Sequence, residues 1–138
     1  MKKIFTPESF LRGVEFNRLP AATQENLMYL AKKCNLLEIA FEHDLVVTSG
    51  YRTPEDQYRI YREKGVTDTS KVPMGSAHLK GLACDFADSH GLLDLFLSRN
   101  DGEMLVKLGL YLEHPNATPG WTHIQLNAPK SGKRIFYP

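Results

Sequence analysis

The chain has 138 residues, 42% hydrophobic and 24% charged, with 17 Lys and Arg against 16 Asp and Glu. That length fits one domain with a real core, and the balance excludes a disordered chain and a strongly basic nucleic-acid surface. Two cysteines, Cys34 and Cys84, are too few for a disulfide framework and form no CxxC knuckle.

Residues 1–20 read as an N-terminal arm. Only Ile4 and Phe5 follow Lys2 and Lys3 before polar residues resume, which is no secretory h-region. No stretch approaches the ~18 apolar residues of a membrane helix. The expectation is a protein made in the cytoplasm, with no membrane partner.

Leu27, Leu30, Ala31, Cys34, Leu37 and Phe41 recur at three- and four-residue steps, which predicts an amphipathic helix from Ala21 to His43. Glu38, Glu42 and His43 read as its solvated end. Leu45 to Ser49 is short and β-branched, hence a strand, and Gly50 turns the chain. Thr53-Pro54-Glu55-Asp56 marks a second helix start, with Thr53 as N-cap, running to Lys64.

Val66 to Ala77 lacks periodicity and reads as a loop. A strand is expected over Leu82 to Phe86, a helix over Leu92 to Arg99, and further helical turns over Glu103 to Leu108. His90 reads as a residue of the cap region before that helix. Leu110 to Glu113 and Trp121 to Leu126 predict a strand pair across the turn-rich Pro115 to Gly120, and Arg134 to Tyr137 an edge strand. Without a regular βαβ alternation, the pattern predicts a single α+β domain over residues 1–138, with helices packed on a small antiparallel sheet.

The chemistry concentrates in Ser76-Ala77-His78-Leu79-Lys80-Gly81-Leu82-Ala83-Cys84-Asp85. A turn at Gly81 lets His78 and Asp85 converge, and strand alternation then turns Cys84 away into the core. In Trp121-Thr122-His123-Ile124-Gln125, alternation puts His123 on one face with Trp121 and Gln125. Two imidazoles and one carboxylate leave a fourth zinc position for water, the pattern of catalytic zinc. Taken singly, His78 reads rather as an exposed loop histidine and His123 as a half-buried strand histidine.

Three segments together resemble one family. Ser76-x-His78-x-x-Gly81-x-Ala83-x-Asp85 is similar to the first zinc motif of the zinc D-Ala-D-Ala peptidases. That family includes D,D-carboxypeptidases, vancomycin-resistance D,D-dipeptidases and phage L-alanyl-D-glutamate endolysins. Ser49-Gly50-Tyr51-Arg52-Thr53-Pro54-Glu55 resembles its Ser-Gly-Tyr-Arg-Ser/Thr-Pro segment, and Trp121-x-His123 its last zinc motif. The resemblance runs from Phe5 to Leu126 and is closest to the small phage and prophage branch.

It implies one Zn²⁺ per chain on His78, Asp85 and His123, in a cleft on the sheet. It also implies that Arg52 holds the substrate carboxylate or the developing oxyanion, which suits a planar, always-charged guanidinium. Ser76 would hydrogen-bond the substrate backbone. On residue type alone, Arg52 could equally form a surface ion pair and Ser76 be a plain loop serine. Asp68 reads as a partner for Arg52 or as a solvated loop acid.

The pattern breaks at one point. The general base usually lies three residues before the last zinc histidine, and here that residue is Gly120. Glu113 and His114 are the nearest candidates. A six-residue Pro115–Gly120 loop pairs His114 with Trp121 and puts it on the face of His123, whereas a one-residue slip puts Glu113 there. Carboxylates are the commoner base at such sites, though an imidazole also serves.

The resulting expectation is a monomeric zinc peptidase acting on peptidoglycan stem peptides, with no nucleic-acid partner. Without a leader it would reach the wall by phage-type release or as a virion component. The alternative, motivated by Gly120, is a catalytically silent zinc-containing module that binds peptidoglycan.

Overall fold

A computed structural model describes residues 4–138, so the first three residues of the expected arm lie outside the described residues. The rest of the arm is part of the body. It folds through two 3-10 turns, Pro7–Phe10 and Phe16–Arg18. Phe5, Phe10 and Leu19 are buried, with Phe5 stacked on Phe10 and edge-on to Phe86. Each large apolar side chain so buried contributes roughly 1.5–3 kcal/mol, which explains why the segment does not hang free.

Helix α1 spans Ala21–Phe41 and buries Leu27, Leu30, Ala31, Cys34 and Leu37, the stripe expected from their spacing. It stops short of His43 because Glu42 adopts a left-handed conformation, φ 62°. Glu38 is not a solvated end residue. It is 4% exposed, and its carboxylate accepts the Leu45 N–H at 3.0 Å. A buried backbone donor with no ladder partner needs such an acceptor.

Strand β1, Val47–Ser49, leads through Gly50 to helix α2, Pro54–Glu63. The predicted start of α2 is realised as a reciprocal cap: Asp56 N–H donates to Thr53 Oγ1 at 3.1 Å, and Thr53 N–H to Asp56 Oδ2 at 3.2 Å. The following loop carries 3-10 turns at Thr69–Lys71 and Ala77–Lys80. Strand β2, Ala83–Ala87, then enters the sheet.

Helix α3, Leu92–Leu108, is interrupted by non-helical backbone at Arg99–Gly102, which separates the two predicted helical stretches. Its start is capped by Asp88, whose carboxylate accepts the N–H groups of Leu93 and Asp94 at 3.0 and 2.9 Å. His90 is exposed beside it and lies outside the one group of side chains among the described residues that could hold a metal ion. No helix among the described residues is long and apolar enough to cross a membrane.

Strands β3, Tyr111–Glu113, β4, Trp121–Gln125, and β5, Ile135–Phe136, complete a five-stranded sheet in the order β1-β2-β4-β3-β5. The architecture is α+β, as expected, but the sheet is mixed. The last strand lies parallel to β3, with Leu112 opposite Ile135 and Glu113 opposite Phe136. After β4 the chain runs through residues 126–134 before pairing, which allows a crossover that a tight hairpin would forbid.

The β2–β4 pair is the centre of the molecule. Its register sets Cys84 opposite Ile124, Asp85 opposite His123 and Phe86 opposite Thr122. Alternation therefore gives the ribbon two faces. Cys84, Phe86 and Ile124 join the hydrophobic core, while Asp85, His123 and Gln125 point to the other side.

Candidate metal centre

His78 reaches the polar face from a 3-10 turn rather than from the sheet. Ser76 caps that turn, its Oγ accepting the His78 N–H at 3.3 Å. Gly81 closes it at φ +72°, where a Cβ would also stand 2.9 Å from Leu27. This is the turn that lets the chain double back so that Asp85, seven residues on, faces His78. The Arg52 N–H donates to the His78 carbonyl at 3.1 Å and ties the motif to the β1–α2 connection.

The three predicted ligands meet. Their donor atoms all lie within 4.8 Å of one another, and each side chain is buried. Asp85 Oδ1 stands 2.8 Å from His123 Nδ1 and 3.4 Å from His78 Nε2.

The outer bonds fix how the rings present themselves. His78 Nδ1 lies 2.8 Å from the Gly50 carbonyl, an acceptor only, so Nδ1 carries the proton and the Nε2 lone pair faces Asp85. His123 Nε2 lies 2.8 Å from Gln125 Oε1. Gln125 is held in that orientation because its Nε2 donates to the Asn127 carbonyl at 3.0 Å. With the Nε2 proton on Gln125, the Nδ1 lone pair of His123 also points inward.

Three lone-pair donors thus converge in a buried space, which is unfavourable without a cation among them. This donor set fits a metal ion. Burial opposes charge on His123, but its bond to Asp85 outweighs this, and the ring's pKa is raised. Burial likewise pushes Asp85 up, yet the hydrogen bonds and charges of the two histidines bring it down to about 2.

Arg52 also lies at this centre rather than on the surface. Its Nη2 is 3.8 Å from Asp85 Oδ2, Nε donates to Ser49 Oγ at 3.3 Å, and Nη1 to Gln57 Oε1 at 3.3 Å. Asp68 is not its partner. That acid accepts both the N–H and the hydroxyl of Ser70, which hold its carboxyl below the usual range.

Of the two registers open to this strand pair, the structure takes the one that puts Glu113, not His114, opposite His123. The β3–β4 register sets Tyr111 opposite Gln125 and Leu112 opposite Ile124, so its continuation brings Glu113 opposite His123. His114 leaves the strand instead: its Nδ1 accepts the Asn116 N–H at 3.1 Å, and its ring stacks on Tyr137 at 4.3 Å. The 3-10 turn Pro115–Ala117 recruits His114 as its cap, which lengthens the connection and slips the register by one residue. Burial raises the Glu113 carboxyl above its ordinary value, opposed by His123 and Lys64 and reinforced by Asp85.

Sequence reasoning missed three contributors. Gln57, 1% exposed, holds Arg52 with its carbonyl and donates to the Pro73 carbonyl at 2.7 Å. Its position four residues after the Thr53 cap carries no sign of this. Gln125 was placed on the right face without a role. Gly50 was assigned only a turn, although a Cβ there would stand 2.5 Å from the Phe10 carbonyl oxygen. No known protein-family model and no curated protein matches this chain.

Proposed function

We propose that the chain is a zinc-dependent peptidase acting on the stem peptides of bacterial peptidoglycan. The observation that carries this reading is the arrangement of one metal-fitting donor set, one buried guanidinium and one perturbed carboxyl around the β2–β4 ribbon. The likeness of the segments Ser49–Glu55, Ser76–Asp85 and Trp121–His123 to the zinc D-Ala-D-Ala peptidases supplies the substrate class.

His78, Asp85 and His123 would hold zinc, which supplies a Lewis acid and a water acidified toward neutral pH. Arg52, fixed on three sides, offers charge to a substrate carboxylate or to oxygen as it becomes negative. Because its positions are set beforehand, little reorganisation is needed when that charge develops. Glu113 takes the proton of the attacking water and returns it to the leaving amine. A carboxyl raised by burial is better matched to both transfers than an exposed one. Ser76 caps the His78 turn and borders the same site, where its hydroxyl would meet the substrate backbone.

The test is zinc analysis of the purified protein, then incubation with purified peptidoglycan and mass spectrometry of the products. One equivalent of zinc, and new peptide termini that disappear with His78→Ala and His123→Ala, are expected. Cleavage undiminished after metal removal would overturn the reading. Bound zinc and retained peptidoglycan without any new termini would establish the silent binding module instead.

A further inference from the structure

The opposite face of the metal-bearing strand carries a second reactive group. Cys34 of α1 and Cys84 of β2 are both 0% exposed, and their Sγ atoms lie 3.8 Å apart across the core. Both are free thiols. No third ligand accompanies them, since the one group of metal-ligating side chains among the described residues is His78, Asp85 and His123. A metal role therefore does not account for the pair.

We infer that Cys34 and Cys84 are a disulfide-forming pair that staples α1 to the strand carrying Asp85 when the chain folds in an oxidising medium. The inference does not depend on the peptidase reading. The sulfurs are already 3.8 Å apart, near van der Waals contact, and must close to the ~2.05 Å of an S–S bond. Complete burial restricts the timing. In the folded chain an oxidant must wait for the core to open, whereas during folding both thiols are accessible.

The oxidant is a small-molecule disulfide. One cysteine thiolate attacks it and forms a mixed disulfide, releasing one small thiol. The second thiolate then displaces the other small thiol and closes the protein S–S bond. The two cysteines lose two electrons and two protons in all, and the small disulfide is reduced to two thiols.

The partners are 50 positions apart in sequence. Closing a loop of that length removes much of the unfolded chain's freedom, so the bond should stabilise the fold. It would also fix Asp85 from behind, because Cys84 is its neighbour in β2.

The experiment refolds the whole chain in parallel with glutathione disulfide and with excess dithiothreitol, then compares mass, peptide map and melting. The expected oxidised product is a monomer lighter by two hydrogen atoms, with the Cys34 and Cys84 peptides joined. Its melting temperature should rise by several degrees, reversibly on reduction, and no rise should occur in Cys34→Ala. Two glutathione adducts, two free thiols or only intermolecular dimers would overturn the inference. So would an intramolecular bond that lowers the melting temperature. The peptide map of the unmodified chain decides the pairing even if the variant fails to fold.

Discussion

Asp85 and Asp94 are nearly equally buried, 5% and 7% exposed, yet burial has opposite outcomes at the two sites. Burial pushes Asp85 up, but the hydrogen bonds and charges of His123 and His78 outweigh it and the carboxyl falls to about 2; Arg52 Nη2 stands 3.8 Å away. Asp94 has no ion-pair partner among the described residues, and its Oδ1 has no hydrogen bond. Burial raises its carboxyl to about 6, reinforced by the charge of Asp88 and only partly countered by the Thr122 hydroxyl. Burial alone raises any carboxyl; the neighbours decide whether the acid becomes a ligand or a liability.

The largest way to break this contrast is Asp85→Ala. It removes one of the three side chains that could hold a metal ion and leaves Arg52 and two histidines facing one another. Stoichiometric metal should be lost, and chemical denaturation of the metal-free protein should show a loss of about 3 kcal/mol or more. Equal stability of the variant and the parent would mean that the ring of donors does not compensate the acid.

Next in size is the neighbouring carboxyl. Glu113→Gln should lower peptide hydrolysis by about 10²–10⁴-fold while leaving the metal content at one equivalent. His114→Ala, removing a ring stacked on Tyr137, should change the rate less than about 3-fold, as for a group outside the chemistry. Reversal of these two results would make His114, not Glu113, the proton acceptor.

The outer bonds give a smaller effect. Gln125→Leu frees His123 Nε2 from its acceptor and should weaken metal binding by about 10–100-fold in a chelator competition. Unchanged affinity would show that the amide does not set the ring's protonation.

The smallest effect concerns pH in the metal-free protein. Asp85, lowered from 3.8 to about 2, makes stability rise with pH across that interval, since the unfolded chain then binds the extra proton. Asp94, raised from 3.8 to about 6, makes stability fall as pH rises through that higher window, because there the folded chain holds the extra proton. Asp94→Asn should stabilise the protein at pH 7.5 by about 1–2 kcal/mol, a value reduced for water near the carboxyl. The gain should vanish below about pH 4. Denaturant titrations of the parent and of Asp94→Asn at about pH 2, 3.5, 5 and 7.5 check both signs.

Much of the ligand set was legible because it depends on local rules. Gly81 marks the turn after His78, and strand alternation separates Asp85 from Cys84. The α2 start was equally plain, since Thr53, Pro54 and Asp56 each have a defined place in a capped first turn. Glu113 and His114 were not separable in this way. Their facing depends on how many residues the 3-10 turn at Pro115–Ala117 draws from β3, and one residue either way inverts the outcome.

The buried role of Glu38 was hidden for a related reason. Its acceptor function is set by the Leu45 N–H beyond the helix end, not by its own position on α1. Gln57 likewise acquires its role from Arg52 and Pro73, which the fold alone brings within reach.

Readable along the chain are the inventory and its local geometry: an α+β chain, the helix starts, and His78, Asp85 and His123 as potential ligands. Which acid faces them, which carbonyls fix their protonation, and the meeting of Cys84 with Cys34 behind Asp85 emerge from the folded arrangement alone. The physical reason is range. Turns, caps and alternation follow from bonds within a few residues, whereas register, burial and charge compensation depend on partners 28 to 50 positions away.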